Sequence, residues 1–502
     1  MVVAVAPEQI VVVSDIHLGE DLIQKGPPSL QHYINRLNEQ FVAFVDWLRE
    51  RPKSGPIDLV INGDMFDFVK ISLRPDPREA YMRWQQGLSA TEKRHGLDNS
   101  PERVEWKLER ILESHRPAFI SLAELVGDGN RLHIVAGNHD REFYYPEIVT
   151  HLRRALSDLY FSRHRVQDTA AARAAFSARL DFSMWFHVTQ GGVYIEHGHQ
   201  YDPYCSFEYL LAPRKRPEEM KVALPLTHKA IPYFADLMGD MSTHNLDTRG
   251  LGYYFRMLFR MGPKRVGVLL WAYVRAVASI LREAGGKGRE ARRALESEHL
   301  TERSEVATKY ALSEPQIHAL DALHATPAEF SLMKMIQCFY VDRFALAFVV
   351  LVGLALQTWL LDDRLWRFSA FAVTIVGGAL VSEWLGTKRR FDTRQFLREG
   401  AAGVARTLRS RVVIFGHSHK PEVIALDGGA HYINIGSWIS RAALLGESAW
   451  GMTFAWIGPQ SGSGASGLYR WVGTKREAKL VHPLGGEPAA DEAPELAAAS
   501  AS

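Results

Sequence analysis

Val11-Val12-Val13-Ser14-Asp15-Ile16-His17 is the stretch from which the rest of the chain is read. Three consecutive β-branched apolar residues make the kind of run that forms a strand buried on both faces. Asp15 and His17 follow it directly. Side chains two apart at a strand end point to the same side, so a carboxylate and an imidazole placed there can share one cation.

Four further stretches repeat this grammar. Leu59-Val60-Ile61 runs into Asn62-Gly63-Asp64-Met65-Phe66-Asp67, and Leu132-His133-Ile134-Val135 into Gly137-Asn138-His139-Asp140. Val193-Tyr194-Ile195 runs into His197-Gly198-His199, and Val412-Val413-Ile414-Phe415 into Gly416-His417-Ser418-His419. Each is a β-rich run, then glycine or a small residue, then side chains of the metal-binding type. Glycine lets the backbone leave a strand sharply, and the carboxyl ends of strands are where α/β sheets bind ligands. A lone His-x-His is commonly a surface or core pair. Five such stretches in one chain specify a site.

In this order the motifs Asp-x-His, Gly-Asp, Gly-Asn-His-Asp, His-Gly-His and Gly-His-x-His resemble the calcineurin-like metallophosphoesterases, over roughly residues 8–200 and 405–457. The resemblance implies an α/β fold: a four-layer β-sandwich flanked by helices, holding two divalent ions bridged by an aspartate. Carried over residue by residue, Asp15, His17, Asp64 and His419 hold one ion, and Asp64, Asn138, His197 and His417 the other. Such a pair of cations neutralises phosphate charge and activates water. A mixed nitrogen and oxygen donor set suits Mn, Fe or Zn better than Ca, and resemblance to bacterial relatives favours Mn.

By the same resemblance His139 points at substrate, to stabilise the transition state or protonate the leaving oxygen. Asp140 either orients that imidazole or caps a helix. His199 remains open as a ligand or a substrate contact, and Asp67 is placed behind the ligands or at a cap. His133, His187, His228, His244, His318 and His431 have no motif around them and are read as structural or surface residues.

At 502 residues and 47% hydrophobic content the chain can bury one large core and carry a second module. Its net charge of +2, from Lys+Arg 59 against Asp+Glu 57, makes no case for nucleic acid, which would want a clustered excess. Two cysteines far apart, Cys205 and Cys338, form no pattern and suggest a reducing compartment. No basic leader precedes the first strand, so the catalytic part is expected in the cytoplasm.

Helical spacing runs through residues 30–52, and again from Pro101 to Val126, where Pro117 is expected to kink or split the element. Residues 68–100 read as an irregular loop. Residues 201–404 form a helical insert that the core fold does not need. Within it, Val266–Leu281 reads as an interfacial helix or as a core helix of the insert.

Residues 344–361 carry no charge, and a second apolar run, 368–385, has only Glu383 near its far end. Eighteen helical residues span about 27 Å, close to the hydrocarbon thickness of a bilayer. Trp359, Trp366 and Trp384 sit at run ends, and Lys388-Arg389-Arg390 follow, which places both flanks in the cytoplasm. The two runs are therefore expected as a transmembrane hairpin, with a buried hairpin in a soluble protein as the alternative. The resulting division is 1–200 and 405–475 for the two parts of the catalytic domain, 201–404 for the insert, and 476–502 for a disordered tail.

Within the resembled family the chain is most similar to bacterial UDP-2,3-diacylglucosamine hydrolases, which split a diphosphate to UMP and an acylated sugar phosphate. It departs from them in its far longer insert and in His139, where they often carry arginine. The implied substrate is a lipid-linked phosphate or diphosphate, handled at the cytoplasmic face of the inner (cell) membrane, with no nucleic acid partner and no protein partner inferable. The other readings are a phosphatase or phosphodiesterase for a soluble nucleotide or phosphoprotein, and a non-catalytic scaffold. The filled ligand positions make the scaffold the least favoured.

Overall fold

The structure is a computed structural model that describes residues 9–24, 29–51, 55–214, 216–230, 264, 267–268, 271–275, 277–278, 289–387, 392–438, 451–458 and 465–486. The apolar runs become strands of two sheets. β1 (Gln9–Val13), β2 (Ile57–Asn62), β3 (Arg131–Val135) and β4 (Leu180–Ser183) lie parallel in the first. β5 (Phe186–Val188), β6 (Val193–Glu196), β7 (Val412–Phe415), β8 (Glu422–Ala425) and β9 (His431–Asn434) form the second, in the order β5-β6-β7-β9-β8. Here β6, β7 and β9 are parallel and the two edge strands antiparallel. The first sheet is completed beyond β1 by antiparallel β10 (Thr453–Ile457), β11 (Gly467–Val472) and β12 (Glu477–Pro483).

The Val11-Val12-Val13 run is buried on both faces because two different layers cover it. Ile10 and Val12 join Val60, Val135, Ile195, Ile414 and Ile433 in the core between the sheets. Val11 and Val13 join Leu59, Ile61 and Ile134 in the core beneath the helices. That outer layer comprises α1 (Ser29–Glu50), α4 (Pro101–Ser114), α5 (Arg116–Gly127) and α6 (Pro146–Arg163), with α2 (Pro77–Trp84), α3 (Glu92–His95) and α7 (Ala170–Ser177) as short additions. In α1 the stripe Leu37, Phe41, Phe44, Val45 and Leu48 is fully buried.

Pro117 splits its element, as expected. α4 stops at Ser114, and Pro117 sits in the first turn of α5, where its missing N–H is no loss. Residues 68–100 are less irregular than their composition suggests. Asp76 accepts from the backbone N–H groups of Arg78 and Glu79 and so starts α2, with Pro77 preset for the first turn.

Two boundaries move. The chain beyond 476 is not a disordered tail from its start: β12 pairs with β11, and Val481 is buried in the inter-sheet core. Residues 487–502 lie outside the described residues. The insert is also not wholly an appendage. α8 (Arg289–Lys309), α9 (Glu314–Asp321) and α13 (Thr393–Leu408) cover the second sheet, where Ala307, Ile317, Leu320, Leu397, Ala401 and Val404 cluster with Val413 and Phe415. They supply the fourth layer, and the boundary drawn at 404/405 falls inside α13.

Between them stand α10 (Leu332–Cys338), α11 (Val341–Leu360) and α12 (Arg364–Thr387). α11 and α12 are longer than the apolar runs that announced them. They pair through Gln357 Nε2 donating to Thr374 Oγ1 at 2.6 Å, and through Arg343 reaching the carbonyl and hydroxyl of Ser382. No residue of α11 is buried, and Phe348, Val349, Trp359, Phe368, Val373 and Val376 face outward, so the hairpin is not packed into a core of the described residues. By length and composition both helices are candidate membrane spans. Lys388-Arg389-Arg390 lie outside the described residues, as does much of Val266–Leu281. In the part of that stretch that is described, Val268, Trp271 and Val274 are exposed, and the Tyr273 ring lies 4.8 Å from Phe344 of α11.

One buried pair predicts a pH effect. The rings of His133 on β3 and His187 on β5 lie 4.0 Å apart, with Asp181, Asp58, Lys309 and Tyr310 around them. Burial brings His187 down to about 4, with Asp181 opposing, and burial followed by His187 holds His133 well below the ordinary range. Both folded values lie below the unfolded one, so the unfolded chain binds more protons in mild acid. Their contribution is complete near neutral pH and is lost as pH falls from about 6.5 towards about 4. Urea midpoints at pH 7 and pH 5 should show this loss, and His187→Gln should flatten it. An equal slope in the variant removes His187 as its source.

Candidate metal centre

The parallel strands of both sheets bring their carboxyl ends to one edge, and the five motifs meet there. Strand alternation alone does not aim them. β1 ends at Val13, and Asp15, His17, Asp64, His417 and His419 all take left-handed backbone, with φ of 55°, 49°, 52°, 65° and 57°. The expectation that Asp15 and His17 share a side because they continue a strand is therefore corrected: left-handed turns aim them. Such backbone is unfavourable by roughly 1 kcal/mol or more per non-glycine residue and persists where the surroundings over-determine it. Here Asp15 N–H donates to Gly63 O at 3.1 Å, His17 N–H to Asp64 O at 2.8 Å and Gly416 N–H to His197 O at 3.0 Å.

The acceptor atoms at this edge ask for positive charge. His197 Nδ1 donates to the Asn62 carbonyl at 3.0 Å, so its Nε2 presents a lone pair. That atom lies 3.0 Å from Asn138 Oδ1 and 3.3 Å from Asp64 Oδ2. Three buried electron-rich atoms this close repel unless a cation or a proton lies between them. Burial alone would lower the His197 pKa, yet Asp64 and Asp15 push it up to about 10, a proton answering the demand a metal would meet.

Beside this group His419 Nε2 lies 2.9 Å from Asp15 Oδ1, and His17 Nε2 lies 3.8 Å from that oxygen and 3.7 Å from Asp64 Oδ2. Asp15, His17 and His419 form one group able to hold a metal ion, and Asp15, Asp64 and His197 another. Asp64 Oδ2 is within reach of imidazoles from both, where a bridging carboxylate would stand. These clusters fit two divalent ions.

His417 stands apart from both groups. Its Nε2 lies 3.2 Å from Asp202 Oδ2, in a third group with Cys205, and its ring is 5.3 Å from that of His197. With Nε2 engaged, Nδ1 is the nitrogen it can offer to an ion.

Asp140 does not orient His139, nor does its side chain cap a helix. Its carboxylate accepts from the backbone N–H of Gly137 at 2.6 Å, Met65 at 2.7 Å and Phe66 at 3.3 Å, tying two motif loops together. Burial, then the charge of Asp64, raises it to about 7. The partner of His139 is Asp67, whose Oδ1 lies 3.0 Å from His139 Nδ1 and whose Oδ2 lies 3.5 Å from His17 Nδ1. Burial would lower His139, but Asp67 and then Asp64 raise it to about 9.

His199 is buried beside Phe207, 5.8 Å between rings, and neither ring nitrogen has a hydrogen-bond partner among the described residues. Burial, then Arg141, holds its pKa well below the usual value. His199 belongs to neither acceptor group.

His228, read from the sequence as structural or surface, is in fact at the site. Asn138 Nδ2 donates to its Nε2 at 3.0 Å, and its ring lies 4.2 Å from that of His139. Nothing in Thr227-His228-Lys229 announces this, because the contact spans 90 residues of chain.

Two glycines serve the site for different reasons. Gly63 has φ +80°, and a Cβ there would strike the His197 ring. Gly137 has no unusual φ, but a Cβ would fall on the Asp64 carboxylate.

Residues 9–256 match the family model for calcineurin-like phosphoesterases, which takes in the first four motifs. Gly416-His417-Ser418-His419 lies beyond the match and reaches the site through β7. No curated protein and no solved structure matches the chain.

Proposed function

We propose that this chain is a membrane-anchored, dinuclear metal-dependent phosphoesterase acting on a lipid-linked phosphate or diphosphate. The observation that carries the hydrolase reading is the convergence of His197 Nε2, Asp64 Oδ2 and Asn138 Oδ1 beside the Asp15, His17 and His419 group. The lipid reading rests on α11 and α12, two outward-facing apolar helices set between elements of the catalytic fold. An apolar surface of that size in water is unfavourable, and a bilayer removes the cost. Both flanks of the hairpin then lie on the cytoplasmic face.

In this reading Asp15, His17, Asp64 and His419 hold one ion, and Asp64, Asn138, His197 and His417 the other, with Mn favoured. When bound, the ions neutralise the phosphoryl charge and activate water for attack on phosphorus. The remaining work is done by side chains. Asp64 would be the carboxylate shared between the two ions. Asp67 Oδ1 accepts from His139 Nδ1–H, which orients the ring so that its other nitrogen can be offered to the leaving oxygen. Asp140 fixes the loops from which Asp64 and Asn138 project.

His139→Ala should keep both ions and lower turnover by roughly a hundredfold or more, the scale of a lost general acid. Loss of an ion from this variant would make His139 a ligand instead. The substrate class is tested by supplying UDP-2,3-diacylglucosamine with Mn to purified protein in detergent. Release of UMP supports it. Hydrolysis of a chromogenic phosphodiester without UMP release keeps the phosphoesterase and rejects this lipid.

A further inference from the structure

We propose that His228, carried in from the insert, is the positioning residue for Asn138 and presents its own Nδ1–H to the phosphoryl oxygens of the substrate. The argument starts from Asn138, whose amide is useful to a cation in only one orientation. With Oδ1 towards His197 Nε2 and Asp64 it offers a lone pair; turned over, its NH2 group would face the ion. The other end of the amide decides between them, and there Asn138 Nδ2 meets His228 Nε2 at 3.0 Å. A ring nitrogen that accepts carries no proton, so the neutral ring must carry its proton on Nδ1.

That Nδ1 is buried and has no hydrogen-bond partner among the described residues, while the whole residue is 3% exposed. A buried donor left unmade is unfavourable, and a ligand oxygen would satisfy it. The ring sits 4.2 Å from His139, the residue facing the leaving group in the proposed mechanism. The placement is held locally: His228 N–H donates to Pro225 O at 3.0 Å, and the next residue, Lys229, pairs with Glu329 beside the start of α10. Through His228 the insert thus reaches the metal-facing amide and the phosphoryl group together.

The inference rests on Asn138 being a metal ligand, and the test separates the two claims. Full-length protein in detergent is titrated with Mn alone by calorimetry, and KM and kcat are measured on a chromogenic phosphodiester, for His228→Phe, His228→Gln and Asn138→Ala. His228→Phe removes both hydrogen bonds and should weaken the second ion by about ten- to a hundredfold, the range for lost outer partners of metal ligands, and raise KM. His228→Gln places a carbonyl oxygen near the position of Nε2. It should recover the metal affinity while KM stays high, a split that a packing role would not produce. Wild-type metal affinity in His228→Phe, alongside a lost ion in Asn138→Ala, overturns the inference. Wild-type affinity in Asn138→Ala overturns the ligand assignment beneath it. If His228→Gln recovers KM as well, the Nδ1–H contact to substrate is wrong.

Discussion

Asp64→Ala is expected to weaken both ions together and to cut phosphodiester turnover at least about a thousandfold. Several kcal/mol of transition-state stabilisation come from a metal pair, and each 1.4 kcal/mol is about tenfold in rate. The two losses are coupled because Asp64 Oδ2 lies 3.3 Å from His197 Nε2 and 3.7 Å from His17 Nε2. Removing it also leaves His139 without the Asp64 charge and without the acceptor that its backbone N–H meets at 2.9 Å. Metal analysis by mass spectrometry, with thermal unfolding as a control on folding, gives the measurement. A variant that folds and still holds two ions at full occupancy would sink the bridging role. Loss of one ion alone would move the bridge to Asp15, the residue common to both acceptor groups.

Replacing residues 344–385 with a short Gly/Ser linker is expected to move the protein from the membrane pellet to the soluble fraction with its metals intact. The hairpin leaves the catalytic fold after α10 and returns to it at α13, whose Leu397, Ala401 and Val404 are buried against the second sheet. α11 and α12 meet chiefly each other, so removing them spares the three cores that carry the site. Activity on a small chromogenic phosphodiester should survive, while activity on a bilayer-embedded substrate should fall by an order of magnitude or more, as the loss of a held-in-place substrate implies. If the altered protein still pellets with membranes and treats both substrates as before, the hairpin is not the anchor. The apolar stripe Val268, Trp271 and Val274 would then be the next surface to test.

The motif-bearing strands and the side chains that meet at their ends were legible because their signals are local. A run such as Val11-Val12-Val13 is apolar on both sides because both sides are covered, and a motif such as Gly137-Asn138-His139 keeps its donors within a few residues of a strand end. The antiparallel edge strand β12 was missed for a related reason. At the edge of a sheet a strand such as Glu477–Pro483 is half polar and announces itself weakly. Asp140 was misread because adjacency in sequence suggested adjacency in space: its carboxylate turns back to three backbone N–H groups, and Asp67, 72 residues away in sequence, takes the imidazole.

What the sequence by itself determined is therefore the five strands that carry the motifs, the metal-type side chains at their ends and the two apolar helices, all carried by residue type and short spacing. Only the tertiary structure decided that left-handed turns aim Asp15, His17, Asp64, His417 and His419. The same holds for the part of the insert that closes the second sheet as a fourth layer, and for His228 crossing 90 residues of chain to hold Asn138. The physical reason is that hydrophobic period and motif spacing are written within a few residues. The partner of a buried hydrogen-bonding group is chosen by whichever segment folding brings beside it.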